Sequence, residues 1–227
     1  MNRVMGVIMI FVAGTLFAQT PNSPPLQAGI AVVLAPTANA TPMPAADDEN
    51  AWIVAVAREG ALFLGTEKLT PEGLAEAMKK RPRNRGLKLY IKADAGAAFS
   101  DVEKVLQTGR AVGFDAPVLL TSQREQAAPG TIVPPQGLEV LVGPLSSTEA
   151  IVVQVLDTGE SKPDVRVNGA DVSVDVLRNT LGRMLPNSNE RLVVLKAAGT
   201  LRFAQVAHVI DICRGAGVEV AVGGPEL

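Results

Sequence analysis

The chain contains one long stretch twice, at a constant offset of 104 residues. Within the stretch 87–121, residues 87–119 match residues 191–223 without a gap. The matched positions include Phe99 with Phe203, Val102 with Val206, Val105 with Val209, Leu106 with Ile210, Arg110 with Arg214 and Gly113 with Gly217. Two long copies predict duplicated domains, because a solenoid needs three or more short repeats.

Each copy is typical of a strand, a helix and a second strand. Apolar and polar residues alternate over residues 87–92, which predicts a half-buried strand. Ser100, with Glu103 three residues later, predicts a helix start with a capping box. Gly113 ends this helix, and residues 117–121 predict the returning strand. Such a strand–helix–strand unit is expected to be parallel and right-handed.

The segments before each stretch also correspond. Residues 52–57 and 61–64 predict a hairpin, and Thr70 followed by Pro71 predicts a helix start. The second copy shows the same order, with strands at 151–156 and 166–168 and a helix over 173–184. We therefore predict an α+β fold of two tandem ββαβαβ domains, each a small mixed sheet with two helices on one face. The expected boundaries are a leader at 1–18, an extended linker at 19–50, domains at 51–122 and 136–227, and a linker at 123–135.

Composition argues against an enzyme and against a nucleic-acid binder. The net charge of −2 provides no general attraction to nucleic acid. One cysteine and one histidine leave little for a nucleophile or a metal centre. Cys213 lies on an apolar helix stripe, which favours a buried core thiol over a reactive one, and His208 is expected on the exposed side of the same helix. We expect no catalytic residue, metal or cofactor.

The first residues predict export from the cytoplasm. Arg3 precedes an apolar run over residues 4–17, and Ala18 precedes a polar, proline-containing segment. As a helix this run reaches roughly 22 Å, short of the ~30 Å hydrocarbon core of a bilayer. We expect cleavage of a signal peptide after Ala18, with a retained inner-membrane anchor as the alternative.

Several of these segments resemble the ExbD/TolR family of bacterial envelope proteins. The similar segments are VMGVIMIFVAGTLFAQTP, QAGIAVVLAPTA, LFLGTEKLTPEGLAEAMK and YIKADAGAAFSDVEKVLQTGRAVGFDAPVLLT. The resemblance implies a membrane segment followed by a periplasmic ββαβαβ domain, and a role in biopolymer transport. It also implies a partner, a membrane proton-channel complex of the ExbB/TolQ type. The duplication of the periplasmic domain is unusual for the family.

One departure from the family bears on function. Family members carry an aspartate in the membrane helix that belongs to the proton path, whereas residues 1–46 contain no Asp, Glu, Lys or His. An intramembrane carboxylate is costly and is normally kept for a function. We expect a noncatalytic envelope protein that supports transport through protein contacts without conducting protons itself. A secreted module that binds peptidoglycan or another wall polymer is the alternative, and a true start further upstream is a third hypothesis.

Two groups of residues are candidate contact sites. Asp94, Phe99 and Ser100 form a candidate partner-contact loop. The alternative role of Asp94 is to accept hydrogen bonds from amides of its own loop. The second copy has Ala198 and Ala204 in place of Asp94 and Ser100, so its helix is expected to lack a cap worth about 1 kcal/mol.

The second group is basic. Lys79, Lys80, Arg81, Arg83, Arg85 and Lys88 have no acidic residue among them and are candidates for contact with an anionic envelope polymer or lipid headgroups. Favourable charge at a helix C-terminus and a solvated loop explain the same pattern.

Tethering predicts that the two domains pack together as a pseudo-dimer within one chain, because a linker raises their effective concentration. We expect edge strands to meet, including the lead-in segments 30–34 and 138–142, since unpaired edges otherwise promote aggregation.

Overall fold

The structure is a computed structural model of the chain. It describes residues 29–80, 87–123, 134–143, 150–160, 162–185 and 191–223. The expected leader at 1–18 lies outside these ranges. Within them, no helix has both the length and the apolar character needed to cross a membrane.

The first repeat forms a mixed sheet with two helices. Its elements are β1 (Pro36–Thr37), β2 (Thr41–Pro42), β3 (Trp52–Val56), β4 (Leu62–Leu64), β5 (Glu67–Leu69), α1 (Pro71–Lys80), β6 (Leu89–Ala93), α2 (Phe99–Ala111) and β7 (Val118–Gln123). Strands β3, β6 and β7 run parallel, while β4 and β5 extend the sheet antiparallel. Helix α1 begins as expected, because the Thr70 hydroxyl accepts the Gly73 N–H at 3.0 Å.

The second repeat follows the same order. Its elements are β8 (Gln136–Glu139), β9 (Leu141–Val142), β10 (Ile151–Leu156), β11 (Asp164–Val167), β12 (Ala170–Val172), α3 (Leu177–Met184), β13 (Leu192–Ala197), α4 (Phe203–Gly215) and β14 (Glu219–Val222). A 3-10 turn at Val174–Val176 precedes α3. Alternate residues of β10 are buried and half-buried, because successive side chains of a strand point to opposite faces of the sheet.

The predicted fold class is confirmed, since each repeat is an α+β unit built on a mixed sheet. One difference recurs in both repeats. A short third strand, β5 or β12, follows the predicted hairpin and pairs antiparallel with its second strand. Gly65 and Gly169 lie in the turns before these strands with φ of +66° and +83°, a conformation that glycine adopts without strain.

The two strands that begin the second repeat belong to different sheets. Strand β8 pairs antiparallel with β7 in the first sheet, and β9 pairs parallel with β14 in the second. The buried apolar side chains also form one continuous core, which includes Leu74 and Phe99 of the first repeat and Leu177 and Phe203 of the second. The two repeats are therefore packed together over a shared core.

The outer face of the first sheet is covered by the chain itself. A 3-10 turn at Pro44–Asp47 buries Ala46 against Tyr90, Val118 and Leu120. Strand β2 pairs with β8 at the edge of this sheet. The residues before β3 thus act as a cover on the face opposite the helices.

Candidate functional site at the contact between the repeats

The repeats meet where the loops before α2 and α4 lie side by side. We call residues 95–100 and 199–204 together the corner. Ala98 and Arg202, which are equivalent positions, form an isolated antiparallel bridge at its centre. Four backbone hydrogen bonds cross the corner: Phe99 N–H to Leu201 O at 2.8 Å, Phe203 N–H to Ala97 O at 2.8 Å, Ser100 N–H to Gly199 O at 3.0 Å and Ala204 N–H to Ala95 O at 3.0 Å.

These four bonds form two reciprocal pairs. Each donor and acceptor in one repeat has its counterpart in the other at the same offset of 104 residues. Such self-complementary contacts are characteristic of a two-fold interface between identical subunits. The corner is therefore a pseudo-two-fold contact within a single chain.

The corner caps both helices. The first N–H groups of a helix have no partner within the helix, and here the opposite loop supplies carbonyl oxygens to them. The predicted capping box is wrong: α2 has Ala98 at its N-cap position, with no side-chain cap. Ser100 contributes its N–H group instead, so the change to Ala204 leaves the equivalent bond of α4 in place. The expectation that α4 lacks a cap is also wrong, because the Gln205 side chain accepts the Arg202 N–H at 3.0 Å.

The corner is tightly packed, with a buried phenylalanine from each repeat. Phe99 is 1% exposed and Phe203 is fully buried. A Cβ atom added to Gly199 would lie 3.0 Å from the Cβ of Ser100, so the two loops approach as closely as a glycine allows. Two of the predicted contact residues, Phe99 and Ser100, therefore contact the other repeat of the same chain.

Asp94 lies next to the corner and binds the residues that enter the first repeat. Its carboxylate accepts the Val33 N–H at 3.1 Å and the Gly96 N–H at 2.9 Å, and only 8% of the residue is exposed. The Ala95 N–H donates to Val33 O at 2.7 Å, and the Lys92 ammonium donates to Ile30 O at 3.0 Å. The Asp94 carboxylate thus accepts one hydrogen bond from an amide of its own loop, at Gly96, and one from Val33 outside the loop, while a role in contact with a partner stays a prediction.

The expected pairing of the two lead-in segments with each other is wrong, although a strand contact between the repeats does occur, because β8 pairs with β7. Residues 30–34 contain no strand, and the interaction of their backbone with Asp94, Ala95 and Lys92 explains their position. Residues 138–142 belong to β8 and β9, which pair with β7 and β14. At the corner, the contact is made by helix N-termini and loops, because these present N–H groups and carbonyls of matching geometry.

Asp211 is a buried side chain at the contact between the repeats that sequence reasoning missed. It is 2% exposed, and its carboxylate accepts the Ala38 N–H at 3.0 Å and the Asn39 N–H at 2.7 Å. The Asn39 amide donates to Asp211 O, and its oxygen accepts from Arg178 at 2.9 Å. A charged residue between Ile210 and Ile212 was the available signal. Asp211 joins the residues that enter the first repeat to α4 of the second.

The predicted basic group is only partly described. Arg81, Arg83 and Arg85 lie outside the described residues. Lys79 pairs with Glu76 at 3.1 Å, and Lys88 pairs with Glu139, while Lys80 is exposed. Acidic residues from α1 and β8 therefore lie beside two of these cations, and contact with an anionic polymer stays a prediction.

The sole cysteine is a core residue, as predicted. Cys213 is fully buried, and burial raises the pKa of its thiol from 9.0 to about 12. His208 is half-buried rather than fully exposed. No group of metal-binding side chains occurs among the residues that the structure describes.

The comparison with known protein families also detects two copies in the chain. The family model described as "Biopolymer transport protein ExbD/TolR" matches residues 1–124 and, separately, residues 118–222. No curated protein matches the chain. The two matched ranges follow the two repeats that meet at the corner.

Proposed function

The chain belongs to the ExbD/TolR family of biopolymer transport proteins, and from this premise we propose that it is a noncatalytic cell-envelope protein that supports transport or envelope energy transduction through protein contacts. The proposed partner is a membrane proton-channel complex of the ExbB/TolQ type. The proposed location is the periplasm, after cleavage near Ala18 or on a retained N-terminal anchor.

The corner is the observation that carries this proposal. Its four reciprocal hydrogen bonds pair two family domains within one polypeptide. Pairing by covalent tethering needs no second chain, because the effective concentration of one repeat near the other is about millimolar. The protein thus supplies a paired periplasmic unit to its partner complex.

The composition of the N-terminal segment supports a role without proton conduction. Residues 1–46 contain no Asp, Glu, Lys or His, so they offer no titratable side chain for a proton path at neutral pH. Proton-driven uptake is the measurement: we expect this chain not to restore it in cells that lack their own ExbD-like protein. Restored uptake would contradict this part of the proposal.

Copurification tests the partner. The full chain is produced with a candidate ExbB/TolQ-type membrane protein and isolated in mild detergent. We expect copurification of the wild-type chain and a loss with Gly199→Val, since a larger side chain at Gly199 meets Ser100 and separates the corner. The control is Gly182→Val on α3, where an added Cβ has no neighbour within 4 Å.

The same preparation addresses the alternative function. Binding to isolated cell wall without copurification of any proton-channel protein would overturn the transport proposal in favour of a wall-polymer module. Retained copurification by a folded Gly199→Val protein would show that pairing of the repeats is not needed for the partner.

A further inference from the structure

The two repeats differ beside the first turns of their second helices. In the first repeat, Asp101 of α2 pairs with Lys104 at 2.9 Å. The turn at Gly60 packs closely against this pair, since a Cβ atom added to Gly60 would lie 2.4 Å from the Asp101 carboxylate. The equivalent residues of α4 are Gln205 and His208. The ion pair of the first repeat is thus replaced by two hydrogen-bonding side chains.

The second repeat is open at this place. The connection between β10 and β11 covers residues 157–163, and it is longer than the equivalent connection at 57–61. A cavity of about 340 Å³ lies between Lys162 and Pro163 at the end of this connection, β1, the 3-10 turn before α3 and the first turns of α4. Its lining residues are Pro36, Lys162, Pro163, Val174, Asp175, Ala204, Gln205 and His208. This volume is within the range of sites for small molecules.

The lining combines an apolar wall with a charged rim. Pro36, Pro163 and Val174 supply rigid apolar surface. Lys162 and Asp175 lie 3.8 Å apart, and their side chains are 75% and 77% exposed. An ion pair this exposed contributes little to the stability of the fold. The free-energy cost of breaking it, so that Lys162 and Asp175 each pair with a ligand instead, is therefore small.

We propose that this cavity binds a free apolar α-amino acid, with its carboxylate beside Lys162, its ammonium group beside Asp175 and its side chain against Pro36, Pro163 and Val174. A ligand with a single charge leaves one rim residue without a counterion. A zwitterion matches both. Gln205 and His208 line the cavity beside this rim. This site goes beyond the transport role and does not depend on a partner protein.

The single histidine provides a direct readout. His208 is the only histidine in the 227 residues, so its imidazole signals in the NMR spectrum of the untagged full chain need no assignment by mutation. The probes are L-phenylalanine and two analogues that each lack one charge, 3-phenylpropanoate and 2-phenylethylamine. At fixed pH we expect L-phenylalanine to shift the His208 signals in a saturable way. We expect each analogue to bind about threefold to fivefold more weakly, as such exposed charges predict.

Charge variants complete the test. Lys162→Gln and Asp175→Asn are each expected to weaken L-phenylalanine binding by the same factor, and both positions are exposed enough to leave folding unchanged. The matched control is Lys79→Gln, which removes one side of another exposed ion pair and should change nothing. Equal binding of the three probes, binding that neither rim variant weakens, or unshifted His208 signals up to saturation with L-phenylalanine would each overturn the proposal.

Discussion

The two repeats are equivalent at the corner and different at almost every side chain around it. Asp94 and Ser100 of the first repeat correspond to Ala198 and Ala204 of the second, yet the equivalent backbone bonds have equal lengths. Backbone N–H and C=O groups are present whatever the side chain, so contacts made by them survive substitution. A duplicated domain can therefore keep its pairing while its side chains diverge.

The outer faces of the sheets show the opposite behaviour. Tyr90 and Val118 in the first sheet are buried under the turn at Pro44–Asp47. The corresponding side chain of Tyr90 in the second sheet, Val194, is half-buried, and so is its neighbour Val152. Between β1 and β3 the chain has room for β2 and this turn, whereas only residues 143–150 connect β9 to β10. The pair is thus symmetric at its centre and asymmetric at its periphery.

The largest expected effect comes from the two equivalent phenylalanines. Phe99→Ala and Phe203→Ala each remove a fully packed ring, so we expect each to lower the free energy of unfolding by about 3–5 kcal/mol. Urea unfolding measures both, with Phe63→Ala at a half-buried position as the milder control. Unequal losses, with one of them below about 1 kcal/mol, would contradict equivalence at the corner. Where alanine abolishes folding, leucine at the same positions provides the comparison.

Cys213 tests a position where the repeats differ, since its equivalent is Gly109. The pKa of about 12 is above the unfolded value of 9.0, so the folded state holds the proton more tightly. Its contribution to stability is full below pH 9 and is lost as the pH rises towards 12. At pH 9 the folded protein should therefore contain far less thiolate than the unfolded chain, and alkylation by iodoacetamide should be much slower.

Mass spectrometry of native and urea-unfolded protein follows this alkylation. A cysteine placed at the exposed Val176 is the control and should react in the folded state. Equal rates for Cys213 in the two states would contradict its burial.

The two buried aspartates distinguish contact within a repeat from contact between repeats. Asp211→Ala leaves the Ala38 and Asn39 amides without their acceptor, and we expect a loss of about 2–3 kcal/mol. Asp94→Ala should cost about 1–2 kcal/mol, because Asp94 is more exposed than Asp211. Amide hydrogen exchange locates the effect: Ala38 and Asn39 should lose protection in the first variant, and Val33 in the second. The reverse pattern would show that the two roles have been assigned wrongly.

The smallest effect concerns the caps. Thr70→Ala removes a hydroxyl that accepts the Gly73 N–H, and we expect a cost of about 1 kcal/mol. Ser100→Ala should cost less than about 0.5 kcal/mol, since only the backbone of Ser100 takes part in the corner. Thermal unfolding of the two variants side by side measures the difference. A cost for Ser100→Ala equal to that of Thr70→Ala would restore the capping-box interpretation.

The elements of the fold were predictable where side chains alternate or recur. The strand at 151–156 was predicted from its correspondence with the first repeat, and Thr70 with Pro71 marks the start of α1, so both elements were located correctly. The short strands β5 and β12 have no such pattern, because they depend on the turns at Gly65 and Gly169. Local signals therefore predict local structure well.

The site was less predictable for a physical reason. Its hydrogen bonds join backbone groups, which leave no trace in the choice of side chains. The Ser100 and Glu103 pattern is a true capping signal, yet the second repeat supplies acceptors that replace the side-chain cap. Asp211 left a trace as a charged residue in an apolar run, and its partners at Ala38 and Asn39 are too distant in sequence for any local pattern to indicate.

A disulfide across the pseudo-two-fold axis tests the pairing of the repeats most directly. Ala98 and Arg202 face each other in an antiparallel bridge, and Cα atoms of such pairs lie about 4.5–5.5 Å apart, a separation that suits a disulfide. In a chain with both Ala98→Cys and Arg202→Cys, oxidised at low protein concentration, we predict rapid formation of an intrachain disulfide in a monomer, detected by mass spectrometry. A control with Ala98→Cys and Val176→Cys should not form one. Free thiols at residues 98 and 202 under the same oxidation, or disulfides only between chains, would contradict the account.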